Sequence, residues 1–291
     1  MRKNEKRLAY LLVSPIVAIL IVLIFLPIAV TFYYSLCDYK LTSRKGIQFA
    51  GLKNYIDVLC DKTTQVALIN SSIVFITVLL ITVVLGMIFA LALTKRTKIS
   101  GLLLALVVVP WALPPIVNGI IWRFMFHPSF GLINSILMHL DIITEPIQWF
   151  NERELLLSVI SISVAWRAIP LAALVFFSAL QSVPVHLYEV AKIDGCSSTR
   201  AFFSITLPLI SPTMSVVLTT TTITGLSVFD EVVTLVGNSS TYATIMMESY
   251  LRSFKFLNFG NGSAFVYIVM IVEIIFVIFY MKILRKDVEY L

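Results

Sequence analysis

The sequence predicts an all-α integral membrane protein with six transmembrane helices. Of its 291 residues, 59% are apolar and only 13% charged, about half the charge of an ordinary soluble domain. Mean hydropathy is +0.95. The apolar residues gather into six runs, 8–33, 71–93, 102–124, 155–180, 214–236 and 263–281. Each is close to or above the roughly 20 residues that cross a hydrocarbon core about 30 Å thick.

The first run follows Arg2, Lys3, Lys6 and Arg7 and is too long for the apolar region of a signal peptide. It reads as a retained span containing Pro15 and Pro27. Pro110, Pro114 and Pro115 interrupt the third run and Pro170 the fourth, and each removes a backbone donor and bends a helix unless neighbours compensate. The fourth also holds Arg167. A charge at membrane depth is costly, so Arg167 faces a cavity or a partner such as Asp230 or Glu231, or snorkels to the outer interface. In the fifth run Thr219-Thr220-Thr221-Thr222 point all around a helix. Most can back-bond to their own backbone, and at least one should face the protein interior.

Loop charge sets the orientation. Segments 1–7, 94–101, 181–212 and 282–291 carry twelve of the 22 Lys and Arg residues, and the longer segments 34–70, 123–154 and 237–262 carry nine. The clusters abutting spans are Lys95, Arg96 and Lys98, and Lys282, Arg285 and Lys286. They place both termini in the cytoplasm. The net charge of +6 is therefore orientation signal, and nucleic acid is not an expected partner.

Enzyme signatures are missing. The sequence holds no G-x-x-x-x-G-K-[ST], H-E-x-x-H, G-x-S-x-G or C-x-x-C pattern. Three cysteines make no disulfide framework, and three histidines leave little for a metal site. Cys37 and Cys60 fall on one side of the membrane, which leaves a bridge between them open. No catalytic residue, metal ligand or cofactor of its own is expected, and the chain cannot hydrolyse ATP alone.

One cytoplasmic stretch, 184–212, is too broken to span and too apolar for a solvated loop. Leu187, Val190, Ala191 and Asp194 recur at helical spacing. Gly195 can end that helix in a left-handed conformation. Ser197 or Ser198 can cap a second short helix carrying Ala201, Phe202 and Ile205, which Pro208 ends. Two short helices with an apolar face suit docking into a groove on another protein.

The same stretch carries a resemblance. Glu189-Val190-Ala191, then Gly195, then Ile205-Thr206-Leu207-Pro208 resembles the E-A-A-x3-G-x9-I-x-L-P coupling loop of ABC importer permeases, with Val190 for the second alanine. Phe49-x-Gly51-Leu52-x-Asn54-Tyr55, Pro110-Trp111-Ala112-x-Pro114, Trp166-x3-Pro170, Ile193-Asp194-Gly195 and Phe229-Asp230 are similar to the carbohydrate branch, specifically the first permease subunit of maltose-type systems. Gly237-Asn238-Ser239 departs from that branch's Gly-Gly-Pro.

The resemblance implies a type I (MetI-like) permease core over 67–284. Before it come an N-terminus and first span (1–33) and an external loop with an amphipathic segment (34–66); a tail (285–291) follows. It implies a second, homologous permease subunit, two ATPase subunits that use ATP and Mg, and an extracytoplasmic binding protein delivering a sugar or sugar-like solute. Glu189, Val190, Ala191, Asp194, Gly195, Ile205, Leu207 and Pro208 are then the ATPase-coupling residues. The solute wall carried over is Val164, Arg167, Ala168 and Leu171 on the fourth span, with Thr221, Thr224, Gly225 and Val228 on the fifth. Arg167 replaces an apolar residue of the maltose-type pattern, which makes a more polar or anionic solute the expectation.

Overall fold

A computed structural model of the chain describes residues 3–44, 46–94, 100–237 and 242–285. Arg2, Lys95, Arg96, Lys98, Asn238, Ser239 and Lys286 lie outside the described residues.

Helices α1 (Lys3–Leu20) and α2 (Leu26–Ser35) are joined by a π-turn, Ile21–Phe25, and carry the span Tyr10–Ser35. A two-residue antiparallel pair, β1 (Cys37–Asp38) with β2 (Gln48–Phe49), departs from the all-helical expectation. Then come α3 (Lys53–Cys60), α4 (Lys62–Thr94), α5 (Ser100–Ala112), α6 (Pro115–Met125), α7 (Leu132–His139) and α8 (Arg153–Ser182). The next segment holds α9 (Val185–Ile193), α10 (Ser198–Ala201), a π-turn (Phe202–Thr206) and α11 (Leu207–Leu209). Finally α12 (Ser211–Leu226), α13 (Asp230–Val236), α14 (Ile245–Tyr250) and α15 (Phe259–Arg285) complete the chain.

Among the described residues, five helical stretches are long and apolar enough to span: Tyr10–Ser35, Lys62–Thr94, Arg153–Ser182, Ser211–Val236 and Phe259–Leu284. The sixth predicted span is different in kind. Ala105–Ala112 and Pro115–Met125 meet at a 100° bend, so 102–124 is two helices. The cause is local: a residue before proline is pushed from the helical region, and Pro114, before Pro115, sits at φ −57°, ψ 141°. Pro15, Pro110 and Pro170 stay inside α1, α5 and α8.

Pro27 and Pro208 show a third outcome. Each lies just after a π-turn, in which Leu26 N–H donates to the Ile21 carbonyl and Leu207 N–H to that of Phe202, five residues back. The wider turn relieves the clash a proline ring makes with the preceding turn. Pro208 therefore does not end the second short helix; helical backbone runs on to Leu209.

The chain divides into two compact units, Met1–Thr64 with Glu248–Ile268, and Gln65–Met247 with Val269–Leu291. In the first, the Asn54 side chain is buried and donates to the carbonyls of Ser35 (2.9 Å) and Cys37 (2.7 Å). Tyr55 pairs with Ser35 through their hydroxyls at 2.7 Å. These bonds explain why the Gly51-to-Tyr55 motif follows the first span: it ties down the chain leaving the membrane. Cys37 is buried and Cys60 exposed, and both are free thiols.

The second unit is built on close helix contacts. A Cβ on Gly86 would lie 2.9 Å from Ala172 Cβ, and one on Gly119 would lie 1.8 Å from Thr234 Oγ1. Only glycine allows these approaches. Phe176, Ala172, Ala90, Ile210 and Val217 form a buried cluster under α9 and the turn after α10. Tyr188 and Phe202 pack on that cluster, which fixes the 184–212 segment to the spans.

Candidate functional site

Arg167 has a partner inside the membrane-spanning region. Its Nε donates to Glu231 Oε1 at 3.0 Å, across 64 positions of sequence. The Glu231 side chain is 3% exposed and that of Arg167 21%. Of the alternatives open in the sequence, the structure selects pairing, and α13 supplies the acid. Burying a charge is tolerable only with such a partner.

Arg167 also lines a small cleft of about 60 Å³ with Ala168, Leu171, Thr221 and Thr224. Five of the eight expected wall residues therefore meet. The other three do not line it. Val164 and Val228 are 0% and 4% exposed, and a Cβ on Gly225 would stand 3.1 Å from Phe75 Cα. Trp111, Ala172 and Thr220 complete the lining. Trp111 was legible only as part of the Pro110-Trp111 motif; that it reaches this cleft follows from α5 packing on α8.

The threonine run divides as its helical phase requires. Thr220 donates to the carbonyls of Val216 and Val217, and Thr224 to that of Thr220. Thr222 faces inward and meets the Tyr280 hydroxyl at 3.1 Å. Thr221 is 3% exposed and lines the cleft, and makes no hydrogen bond among the described residues. Farther along, Ser227 donates to Glu273 Oε1 at 2.7 Å.

The 184–212 segment forms a larger open cavity of about 650 Å³, lined by Tyr188, Ala191, Lys192, Cys196, Ser197 and Phe202 among others. Gly195 sits at φ +73°. Cys196 N–H donates to the Ala191 carbonyl (2.8 Å) and Gly195 N–H to that of Lys192 (3.2 Å), the paired bonds of a glycine-terminated helix. Ser197 Oγ accepts from Arg200 N–H at 3.3 Å, so Ser197 is the cap of α10.

The expected docking face of α9 divides between the spans and the outside. Leu187, Tyr188 and Ala191 are half-buried, with Tyr188 and Thr206 joined by their hydroxyls at 2.7 Å. Val190 is 54% exposed, and Asp194 is exposed too. They share the outer side of the helix, with Glu189 and with Ile193 at 84% exposure. Tyr188 is the inward anchor because its ring packs on the cluster while its hydroxyl finds a partner. Ile205, Leu207 and Pro208 are half-buried in the helical run that follows.

Residues 82–290 match the family described as binding-protein-dependent transport system inner membrane component. The chain belongs to that family. It is 36% identical to the trehalose/maltose transport system permease protein MalF of Thermococcus litoralis, over 99% of this chain and 97% of the relative. It is 32% identical to the sulfoquinovosyl glycerol transport system permease SmoG of Agrobacterium fabrum, over 98% and 92%. The sn-glycerol-3-phosphate permease UgpA of that organism is 30% identical over 98% and 97%. In structure, a chain of a bacterial ABC transporter that imports the acidic polysaccharide alginate superposes with a TM-score of 0.81 at 18% identity, covering 97% of this permease and 96% of that chain. That likeness shows the fold. Together with the apolar helices, family membership makes the protein a multi-pass membrane permease.

Proposed function

We propose that this permease is one half of the translocation pore of an ATP-driven importer for a sugar or sugar-like solute. The other half is a second, similar permease. An extracytoplasmic binding protein delivers the solute, and two separate subunits hydrolyse ATP with Mg. The named relatives handle sugars or sugar-like solutes, and the alginate transporter has been captured with a solute-bound periplasmic protein. The orientation read from loop charge puts both termini and the 184–212 segment in the cytoplasm, facing the ATPases.

The observation that carries the reading is the outer face of α9. Glu189, Val190 and Ile193 project away from the spans, while Tyr188 and Phe202 hold the helix to the membrane core. A rigid helix with an exposed apolar and acidic face can dock in a groove and carry its movement into α8 and α12. Asp194, Gly195 and Ser197 make the turn that sets the two short helices apart. Ile205, Leu207 and Pro208 form the stiff connection to α12, with Ala191 packed on the inner side.

The cleft between α8 and α12 is this subunit's wall of the solute path. At about 60 Å³ it is well below the roughly 300 Å³ of an ordinary ligand pocket, so a second subunit would complete it. Gly195→Val tests the coupling role, because a branched side chain is strained at positive φ. The variant complex should reach the membrane at normal levels yet lose binding-protein-stimulated ATP hydrolysis and uptake. Normal uptake by a well-assembled Gly195→Val complex would remove this segment from the transmission path.

A further inference from the structure

The wall residues of the cleft include one ionisable group, Arg167, and its charge is already answered by Glu231 at 3.0 Å. Glu231 lies behind the wall, almost fully buried, and does not line the cleft. The pair is therefore one-sided: its cation reaches the cavity and its anion does not.

A guanidinium carries five N–H donors. One of them, on Nε, is committed to Glu231, and Arg167 makes no other hydrogen bond among the described residues. Its terminal N–H groups are held in place by the ion pair and remain available. The Thr221 hydroxyl on the same wall is also uncommitted. The Thr224 hydroxyl donates to Thr220, which leaves its oxygen free to accept. Trp111 adds an exposed ring against which the apolar face of a sugar can lie. Donors, an acceptor and an aromatic face make a hydroxyl-binding wall.

The charge balance decides which solute suits it. A carboxylate touching the guanidinium offsets most of the attraction a second anion would feel there. An anion brought into this apolar setting would lose hydration without gaining a free counter-ion. We infer that the Arg167–Glu231 pair makes Arg167 a specificity-determining residue that presents fixed donors to uncharged sugar hydroxyls and disfavours anionic solutes. Of the more polar or anionic solute expected at Arg167, the pair favours the polar, uncharged one, and the inference rests on the importer reading above.

The test uses the whole transporter, both permeases with both ATPases, in lipid nanodiscs. Equilibrium dialysis measures binding of trehalose and of trehalose 6-phosphate, one disaccharide with and without an anionic group. The wild-type complex should favour trehalose by about tenfold or more. Glu231→Gln frees the Arg167 charge and should move the ratio toward the phosphate by about tenfold; a ratio unchanged within about twofold overturns the inference. If that variant does not assemble, Arg167→Gln with Glu231→Gln removes both charges and the guanidinium donors while keeping an amide at each position. That double variant should bind trehalose roughly tenfold more weakly, and unchanged affinity overturns the inference. Wild-type complex that binds neither sugar, while its loaded binding protein still stimulates ATP hydrolysis, also overturns it and leaves the importer reading standing. No stimulation of a fully assembled complex by that protein would instead sink the importer reading.

Discussion

Arg167 and Arg252 are both held by carboxylates, yet they are built for different ends. Arg167 gives one donor to one buried acid and itself lines a cleft. Arg252 is bound by three partners. Its Nε donates to Glu248 at 2.8 Å, and one terminal nitrogen donates to Thr63 at 2.8 Å and to Asp61. Its guanidinium also lies over the Phe265 ring, 5.9 Å from the centroid. Burial would lower the Arg252 pKa, but the bonds it donates to Glu248 and Asp61 outweigh it and raise the value. An arginine tied to three partners on two segments is a clamp, joining α14 to the start of α4. One with a single partner and a cleft beside it has more donors left to bind with.

The largest expected effect comes from breaking the clamp. Arg252→Ala strands Glu248, whose side chain is 4% exposed, and loss of one partner of a buried pair costs about 3–5 kcal/mol. The lower end is expected because Arg252 itself is 21% exposed. Thermal unfolding of the purified complex, followed by a probe in 245–258, should show this as a large downward shift. An unshifted transition would mean that Phe265 and the backbone hold α14 without the ion pair.

Paired neutral replacements sharpen the contrast. Arg167→Met with Glu231→Gln removes both charges of an isolated pair, and such exchanges are often close to neutral. Its stability should return to within about 1 kcal/mol of the parent, with solute binding impaired. Arg252→Met with Glu248→Gln should recover less, because Asp61 and Thr63 still lose their donor. Equal recovery in both, measured by denaturant unfolding of matched complexes, would erase the distinction between clamp and binding arginine.

The smallest effect is acid sensitivity of the clamp. Burial pushes the Asp61 carboxyl up, but hydrogen bonds from Arg252 and Thr63 overcome it and leave the pKa below its ordinary value. A carboxyl with a depressed folded pKa stabilises the fold fully above its unfolded pKa and loses that contribution as pH falls through the folded value. Hydrogen exchange around 245–258 should therefore rise only below the ordinary carboxylate range, and Asp61→Asn should flatten that rise. Arg167 has no such exposed partner, so exchange near α8 should not follow the same profile.

Legibility in the sequence followed the range of the interaction. Short-range signals were readable: glycine at a helix end, serine three residues before the amide it caps, apolar runs long enough to span. Gly195 and Ser197 do what their types and spacing imply. Spacing puts Leu187, Val190, Ala191 and Asp194 on a docking face, and Val190 and Asp194 are exposed there, but spacing alone does not say which side of a short helix the spans will cover. Tyr188 took that side, since it could both pack and hydrogen-bond. Pro208 was read as a stop because a π-turn, the device that carries the helix past it, has no residue signature.

What this sequence determined by itself was the membrane architecture, the family, and the position and turn chemistry of the 184–212 segment. Each depends on neighbours within a few residues or on composition summed over a span. Tertiary structure alone decided that Glu231 answers Arg167, that Trp111 and Thr220 join the cleft while Val164, Gly225 and Val228 do not, and that 102–124 turns through 100°. Pairing across 64 positions is set by how α8, α12 and α13 approach one another. Those distances depend on small contacts such as Gly86 on Ala172 and Gly119 on Thr234, where a single methyl group separates touching helices from parted ones.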